Sequence, residues 1–380
     1  MRILPVAGGK GGVGKSLIAA NLAVALSRAG KRVILVDLDL GGSNLHLILG
    51  VRNPPVGIGT WLNDSRRPFD EILLQTEYRG LRFIAGDAEI PGIANLGTAQ
   101  KNMLVRRLGQ LDADLLIVDL GAGTHFNILD FFLMSGRGLI VTTPTPTATV
   151  NAYLFLKNLV FRIIHTSFER KSPGAEYLAG LRKQKESFQR VYIPRLLEQI
   201  AEVDPQGHAA LRARLAAFRP RLIMNMLEDP KDGEKANRLR RSCEQYLGIE
   251  LEHLGIMYRD DIQDVALSSG LPVVVYKPNS VLSQAVERVA DKIIQLETDD
   301  DTGWHGVDES YQEAGMEAEA DFETKMDYVE DLMQTGALST GDLIETVKSQ
   351  QVEINSLRKQ NALYKAKLVQ ALQQGRPPER

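Results

Sequence analysis

The segment Gly9-Lys10-Gly11-Gly12-Val13-Gly14-Lys15-Ser16 constrains this 380-residue chain more than any other feature. It follows a short apolar run, Ile3 to Ala7, and opens a stretch with helical character, Lys15 to Ala29. The pattern GxxxxGK[ST] needs that strand and helix on either side. The glycines let backbone N–H groups close around phosphate oxygens, and the helix N-terminus adds its positive end. Gly9 to Ser16 and the adjoining Leu17 are therefore candidate nucleotide-binding residues. Lys15 is placed to reach the outer phosphates, and Ser16 to ligate Mg2+.

A strand feeding a helix through such a loop belongs in a layered α/β fold, so further buried strands should follow. Short apolar runs recur at Val33 to Val36, Leu115 to Val118, Leu139 to Thr142, Leu222 to Met224, Leu254 to Met257 and Val273 to Tyr276. Helical patterns lie between them at Ala99 to Leu111, Ala148 to His165 and Ser283 to Leu296. Continuous Val/Ile/Leu runs suit parallel strands buried on both faces. The alternation predicts a doubly wound, mostly parallel sheet over residues 1–297. Pro5 fits its strand awkwardly, because it gives no ladder donor. A hydrophobic content of 44% suffices for one large or two ordinary domains.

Three segments depart from the alternation. Residues 166–220 read as an inserted helical hairpin rich in Arg and Lys, from Arg170 and Lys171 through Arg182, Lys183 and Lys185 to Arg212 and Arg214. A solvated helix face accounts for them, and nucleic acid or an acidic partner does so as well. Residues 298–323 hold ten Asp or Glu and no Lys or Arg, an acidic linker composition. A helical tail over 324–374 follows, in which Val347, Gln350, Ile354, Leu357, Asn361, Tyr364, Leu368 and Ala371 recur at spacings of three and four. That seam predicts a coiled-coil-like helix, with Asn361 setting register, or an amphipathic helix docking on a partner through 343–372. Residues 375–380 are expected to be a disordered end.

Composition removes several function classes. Cys243 is the single cysteine, so no internal disulfide, CxxC metal site or cluster carrier is expected. No predominantly apolar stretch reaches the length of a membrane span, and Met1-Arg2 leads straight into the first strand without a signal-peptide core. A cytoplasmic protein is expected. The formal net charge of -3 does not by itself favour a nucleic-acid partner.

Two strands end in acids. Val33 to Val36 runs into Asp37-Leu38-Asp39, and Leu115 to Val118 into Asp119, followed by Gly121-Ala122-Gly123. Taken alone, each fits a surface turn as well as a magnesium site. Lys10 is the sharper clue, because a second lysine has no task in an ordinary monomeric phosphate loop. The run from Lys10 to Ser16, KGGVGKS, resembles the deviant Walker A motif of the MinD/ParA family. The resemblance implies an ATP-bound homodimer in which Lys10 crosses to the partner's nucleotide and stabilises charge on the transferred phosphoryl group. It further implies catalytic roles for Lys10, Lys15 and Asp39, with Asp39 positioning the attacking water, and magnesium held by Ser16, Asp37 and Asp119. Asn225, after Leu222 to Met224, matches the position that reads adenine, and Asp260 falls in the loop flanking the base. Either residue could equally be a loop cap. Thr324-Lys325-Met326-Asp327 only partly imitates a guanine motif and lies beyond the sheet, so ATP with Mg2+ is expected.

The stretches Asp119 to Gly123 and Thr142 to Ala148 look most like the MinD-like FlhG/FleN branch. That likeness implies a slowly hydrolysing ATP switch acting as a spatial regulator of a flagellar or other polar machine. It would work with a protein activator or cargo and be recruited to the membrane or cell pole. Two other readings stay open. One is a ParA-type partition ATPase holding DNA through the basic insertion and Lys235, Arg238, Arg240 and Arg241. The other is an ATP-dependent small-molecule synthetase of the same superfamily.

Overall fold

Val33–Leu38 and Leu115–Leu120 are apolar at every position but one, Asp37 and Asp119, and are buried along their whole length. Strands of that kind need cover on both faces and belong in the middle of a parallel sheet. The computed structural model places them there; it describes residues 1–40, 42, 44–52, 54–64, 66–86, 96–183, 192–298, 306–335, 341 and 348. Strands β1 (Arg2–Ala7), β2 (Val33–Leu38), β3 (Leu74–Gln75), β4 (Leu81–Ile84), β5 (Leu115–Leu120), β6 (Leu139–Thr142), β7 (Arg221–Leu227) and β8 (Glu252–Tyr258) form one sheet. Their order is β3-β4-β2-β5-β1-β6-β7-β8. Neighbours run parallel, except that β3 is antiparallel to β4.

The helices are α1 (Lys15–Arg28), α2 (Leu45–Ile48), α3 (Ile58–Asn63), α4 (Thr98–Gly109), α5 (Phe126–Phe132), α6 (Pro146–Thr166) and α7 (Pro173–Lys183). They continue as α8 (Ile193–Val203), α9 (Pro205–Ala216), α10 (Glu234–Leu247), α11 (Ile262–Ser268), α12 (Val273–Tyr276), α13 (Val281–Thr298) and α14 (Val307–Gln334). The strand period of two splits the core between the two faces of the sheet. Ile34, Val36, Leu116 and Val118 pack with α6 and α10 on one side. Val33, Leu35, Leu115 and Ile117 pack with α1 and α13 on the other. The doubly wound α/β sheet expected from the alternation is therefore what the chain forms. Pro5 pairs in register with Val118, at a level where β6 has not yet joined β1.

Several local expectations need correction. Val273 to Tyr276 is not a ninth strand but the short helix α12. Pro272 precedes it, the Val274 N–H donates to Asn21 Oδ1 at 3.1 Å, and its valines pack against α1 and α13. Strands β3 and β4 were not expected, because Arg82 interrupts the apolar run of β4. The described residues of the insertion form three helices, α7 to α9, rather than a hairpin. Ile193, Leu196, Ile200, Leu211 and Leu215 recur at helical spacing and are buried in the core shared with α6. Arg170, Lys171 and Arg212 stay exposed, while Arg214 donates to Thr166 and Ser167 at the end of α6.

The acidic stretch is not an extended linker in its second half. From Val307 onward it is helical, and Tyr311, Ala314, Ala318 and Asp321 are buried. The chain divides into two compact units, Met1–Phe322 and Glu323–Arg380. In the second, the described residues 323–334 complete α14. Every residue of the proposed coiled-coil seam, from Val347 and Gln350 to Leu368 and Ala371, and residues 375–380 lie outside the described residues, as does Lys185.

Candidate nucleotide-binding site

The loop between β1 and α1 owes its shape to glycine. Gly12 and Gly14 have φ of 76° and 89°, in the left-handed region that other residues avoid. The loop is also hemmed in by its neighbours. A Cβ on Gly9 would stand 2.1 Å from the Asn151 carbonyl oxygen on α6, and one on Gly14 would stand 2.3 Å from Asn225 Nδ2. Asn225, at the carboxyl half of β7, is buried and donates from Nδ2 to the Val13 carbonyl at 2.9 Å. Its side-chain amide is thus a strut for the phosphate loop.

Parallel pairing brings the acids to the same edge. Asp119 is in register with Val6 of β1 and with Asp37 of β2. One Asp119 oxygen accepts from the Ser16 hydroxyl, and Oδ1 is buried with no partner. Burial, then the Asp37 carboxylate, then Asp39 push the Asp119 carboxyl up to about 8, against the opposing pull of Ser16 and Lys15. Asp37 accepts from the Asp39 N–H at 3.0 Å and the Leu45 N–H at 3.3 Å. Asp39 itself is half-buried and lies against Gly121, where a Cβ would come within 2.9 Å of Asp39 Oδ1. Lys15 is buried at the start of α1, whereas Lys10 is exposed.

A hydroxyl and two buried carboxylates, one with an orphaned oxygen, form an all-oxygen donor set suited to a hard divalent cation. Among the described residues no three His, Cys, Asp or Glu side chains gather as a complete metal cage. Mg2+ characteristically takes one or two protein oxygens and fills the rest with water and phosphate, so the residues present fit it.

The structure thus brings together Gly9 to Leu17, Asp37, Asp39, Asp119 and Asn225. Asp260 lies three strands from β1, at the same carboxyl edge, where Oδ1 accepts from the Ile262 N–H at 3.0 Å as a local turn cap. Sequence reasoning missed the α6 backbone at Asn151 and Ala152, which closes on Gly9. It also missed the unpartnered buried Thr142 hydroxyl at the end of β6. The run Thr142 to Thr147 was the available signal. Of the four cations considered for DNA, Lys235 is paired to Asp232 at 2.6 Å and Arg240 is paired to Asp308.

The sequence profile of the CobQ/CobB/MinD/ParA nucleotide binding domain matches residues 4–357. The chain belongs to this nucleotide-binding family. Within it, the antiactivator FleN of Pseudomonas aeruginosa is 24% identical over 296 residues, covering 77% of this chain and 86% of that protein. The flagellum site-determining protein YlxH of Helicobacter pylori is 34% identical over 158 residues, 41% of this chain and 53% of YlxH. The MinD structure from Pyrococcus horikoshii, a complex with Mg-ADP, superposes with a TM-score of 0.54 at 19% identity, covering 78% of this chain and 97% of that one. Pyrococcus furiosus MinD gives 0.53 at 20% identity, covering 78% and 99%. These likenesses in structure agree with the family fold of the MinD/ParA members. No described helix is long and apolar enough to cross a membrane.

Proposed function

We propose that the chain is an ATP-dependent dimerising switch that hydrolyses ATP slowly and regulates the position or number of a flagellar or other polar machine. The observation that carries this reading is the contrast between two lysines of one loop: Lys15 is buried at the helix start, while Lys10 is exposed beside it. Lys15 meets the outer phosphates of the nucleotide in its own subunit. Lys10 reaches the nucleotide of a second copy, completing its charge stabilisation only in the homodimer. Magnesium, when bound, neutralises charge on the phosphate oxygens. Ser16, Asp37 and Asp119 hold that charge in place, and Asp39, packed on Gly121, orients the attacking water. Asn225, besides bracing the loop through the Val13 carbonyl, and Asp260 flank the base. The FleN and YlxH likenesses favour a site-determining role, executed with a protein activator or cargo and with recruitment to the membrane or pole. Residues 343–372 supply a separate coiled-coil contact.

The test is sedimentation and phosphate release with three variants. Lys15→Ala should lose ATP binding. Lys10→Ala should keep it and lose both ATP-dependent dimerisation and turnover. Asp39→Ala should bind ATP and accumulate as the dimer. An unaltered ATP-dependent dimer of Lys10→Ala would reject the trans role.

A further inference from the structure

Among the described residues, nine buried side-chain nitrogen or oxygen atoms have no hydrogen-bond partner, and five of them lie under one helix. They are Nδ1 and Nε2 of His253 on β8, the Tyr311 hydroxyl on α14, and Nε of Arg240 on α10 and of Arg288 on α13. The helix above them is the part of α14 that belongs to the first unit, residues 307–322. It lies along β8, which is the last strand of the sheet and therefore an open edge. Edge strands present unpaired backbone groups and are usually covered or charged. Here the Ser310 hydroxyl accepts from the His253 N–H at 3.1 Å, and the Tyr258 hydroxyl donates to the Ala318 carbonyl at 2.9 Å.

The apolar part of this contact is thin. The buried apolar residues on the helix are Tyr311, Ala314 and Ala318, with Val307 and Phe322 packed half-buried at its two ends, and beside them remains a cavity of about 610 Å³ lined in part by His253, Tyr311, Gly315 and Phe322. Most of the polar contacts to the body are between charges. Asp308 pairs with Arg240, whose guanidinium also stacks on Tyr311 at 4.9 Å. Glu313 and Glu317 share Lys292 at 3.5 and 2.8 Å, and Asp321 pairs with Arg288. Four acids of the stretch that has no Lys or Arg thus meet three cations drawn from α10 and α13. An interface with little apolar area and several unsatisfied buried polar groups leans on its ion pairs; charge reversal breaks all of them, and salt acts first at Asp308 and Glu313, the most exposed members.

We propose that residues 307–322 are a releasable acidic latch seated on a basic docking face made by Arg240, Arg288 and Lys292, and that release uncovers the free edge of β8. The resident occupant is this chain's own acidic helix. The chemistry of the face fits any acidic amphipathic helix that repeats its spacing, with small residues inward and carboxylates on both flanks. The inference stands apart from the nucleotide reading, since none of its residues touches the phosphate loop.

Hydrogen exchange on the full chain tests it, followed in peptides covering 307–322, 252–258 and, as an internal reference, 115–120. Raising NaCl from 0.05 to 1 M should speed exchange at least tenfold in the first two and leave the β5 reference unchanged. The Glu313→Lys, Glu317→Lys, Asp321→Arg variant should do the same at low salt. Adding Arg288→Glu and Lys292→Glu should restore protection. A synthetic peptide of residues 306–323 should bind the first variant and lose that binding with the second. Protection that ignores both salt and charge reversal, or that the paired reversal fails to restore while the β5 reference is intact, would overturn the latch.

Discussion

Asp37 and Asp119 sit opposite one another in register on adjacent parallel strands, both buried at the mouth of the phosphate loop. Two carboxylates so placed cannot both ionise without a cation between or beside them. Burial first and the Asp37 carboxylate second push the Asp119 carboxyl up to about 8, and its Oδ1 has no partner in the protein. The strand pairing that builds the centre of the sheet therefore stores an electrostatic cost that a divalent cation relieves.

Asp119→Asn should separate the two consequences. The amide keeps the shape and removes the buried charge, so the nucleotide-free protein should melt about 1–2 °C higher, the shift expected for roughly 1 kcal/mol in a unit spanning Met1–Phe322. The same variant should lose the magnesium dependence of nucleotide binding. Calorimetry and titration with and without Mg2+ check both, and a lower melting temperature would contradict the proposed repulsion.

Gly9→Ala tests the fit of the loop against α6. The new methyl would meet the backbone oxygen of Asn151 at 2.1 Å, and a backbone atom in a packed helix cannot rotate away. The loop must move instead. Nucleotide affinity should fall at least about tenfold, a loss of roughly 1.4 kcal/mol, with the fold retained. Gly109→Ala, whose Cβ would meet nothing within 4 Å, is the control.

The sequence exposed the centre of this molecule better than its margins, for physical reasons. β2 and β5 are covered on both faces, so their aliphatic runs have one interpretation, and the glycine spacing of the loop is dictated by phosphate. Val273 to Tyr276 has the same composition as a strand, but a side chain of α1, Asn21, takes the Val274 amide and Pro272 starts a helical turn. The acidic stretch looked self-repelling because its partners, Arg240, Arg288 and Lys292, come from elsewhere in the chain. Asn225 was expected at the base, and its bond to the Val13 carbonyl was invisible because it joins positions 212 residues apart.

Cys243 should behave as a core residue. It is fully buried on α10, and burial pushes its thiol up to about 12. At pH 8 the thiolate is then about a thousandfold scarcer than for an ordinary cysteine, before access is considered. A thiol reagent should label the native protein negligibly over the time in which guanidinium-unfolded protein reacts completely. Rapid native labelling would place Cys243 at the surface.

His253 gives the chain an acid limit. Its imidazole is buried on β8 between Tyr311 of α14, at 4.8 Å, and Lys292 of α13. Burial, and secondarily the Lys292 charge, lower it from the ordinary 6.5 to about 3. The unfolded chain then binds a proton that the folded one refuses between those two values. The His253 contribution should be complete above pH 6.5 and fall as the pH drops towards 3, by about 1.4 kcal/mol per unit and so roughly 2 kcal/mol at pH 5. Asp119 and Asp321 work in the opposite direction, because burial raises both carboxyls, Asp119 to about 8, and the folded state takes up those protons more readily. Denaturant midpoints at pH 7.5 and 5 should show this by difference: His253→Phe, which keeps the ring contact with Tyr311 but cannot titrate, should be more stable relative to the parent at pH 5 than at pH 7.5, by roughly 2 kcal/mol. An equal difference at the two pH values would assign the acid sensitivity to the carboxylates instead.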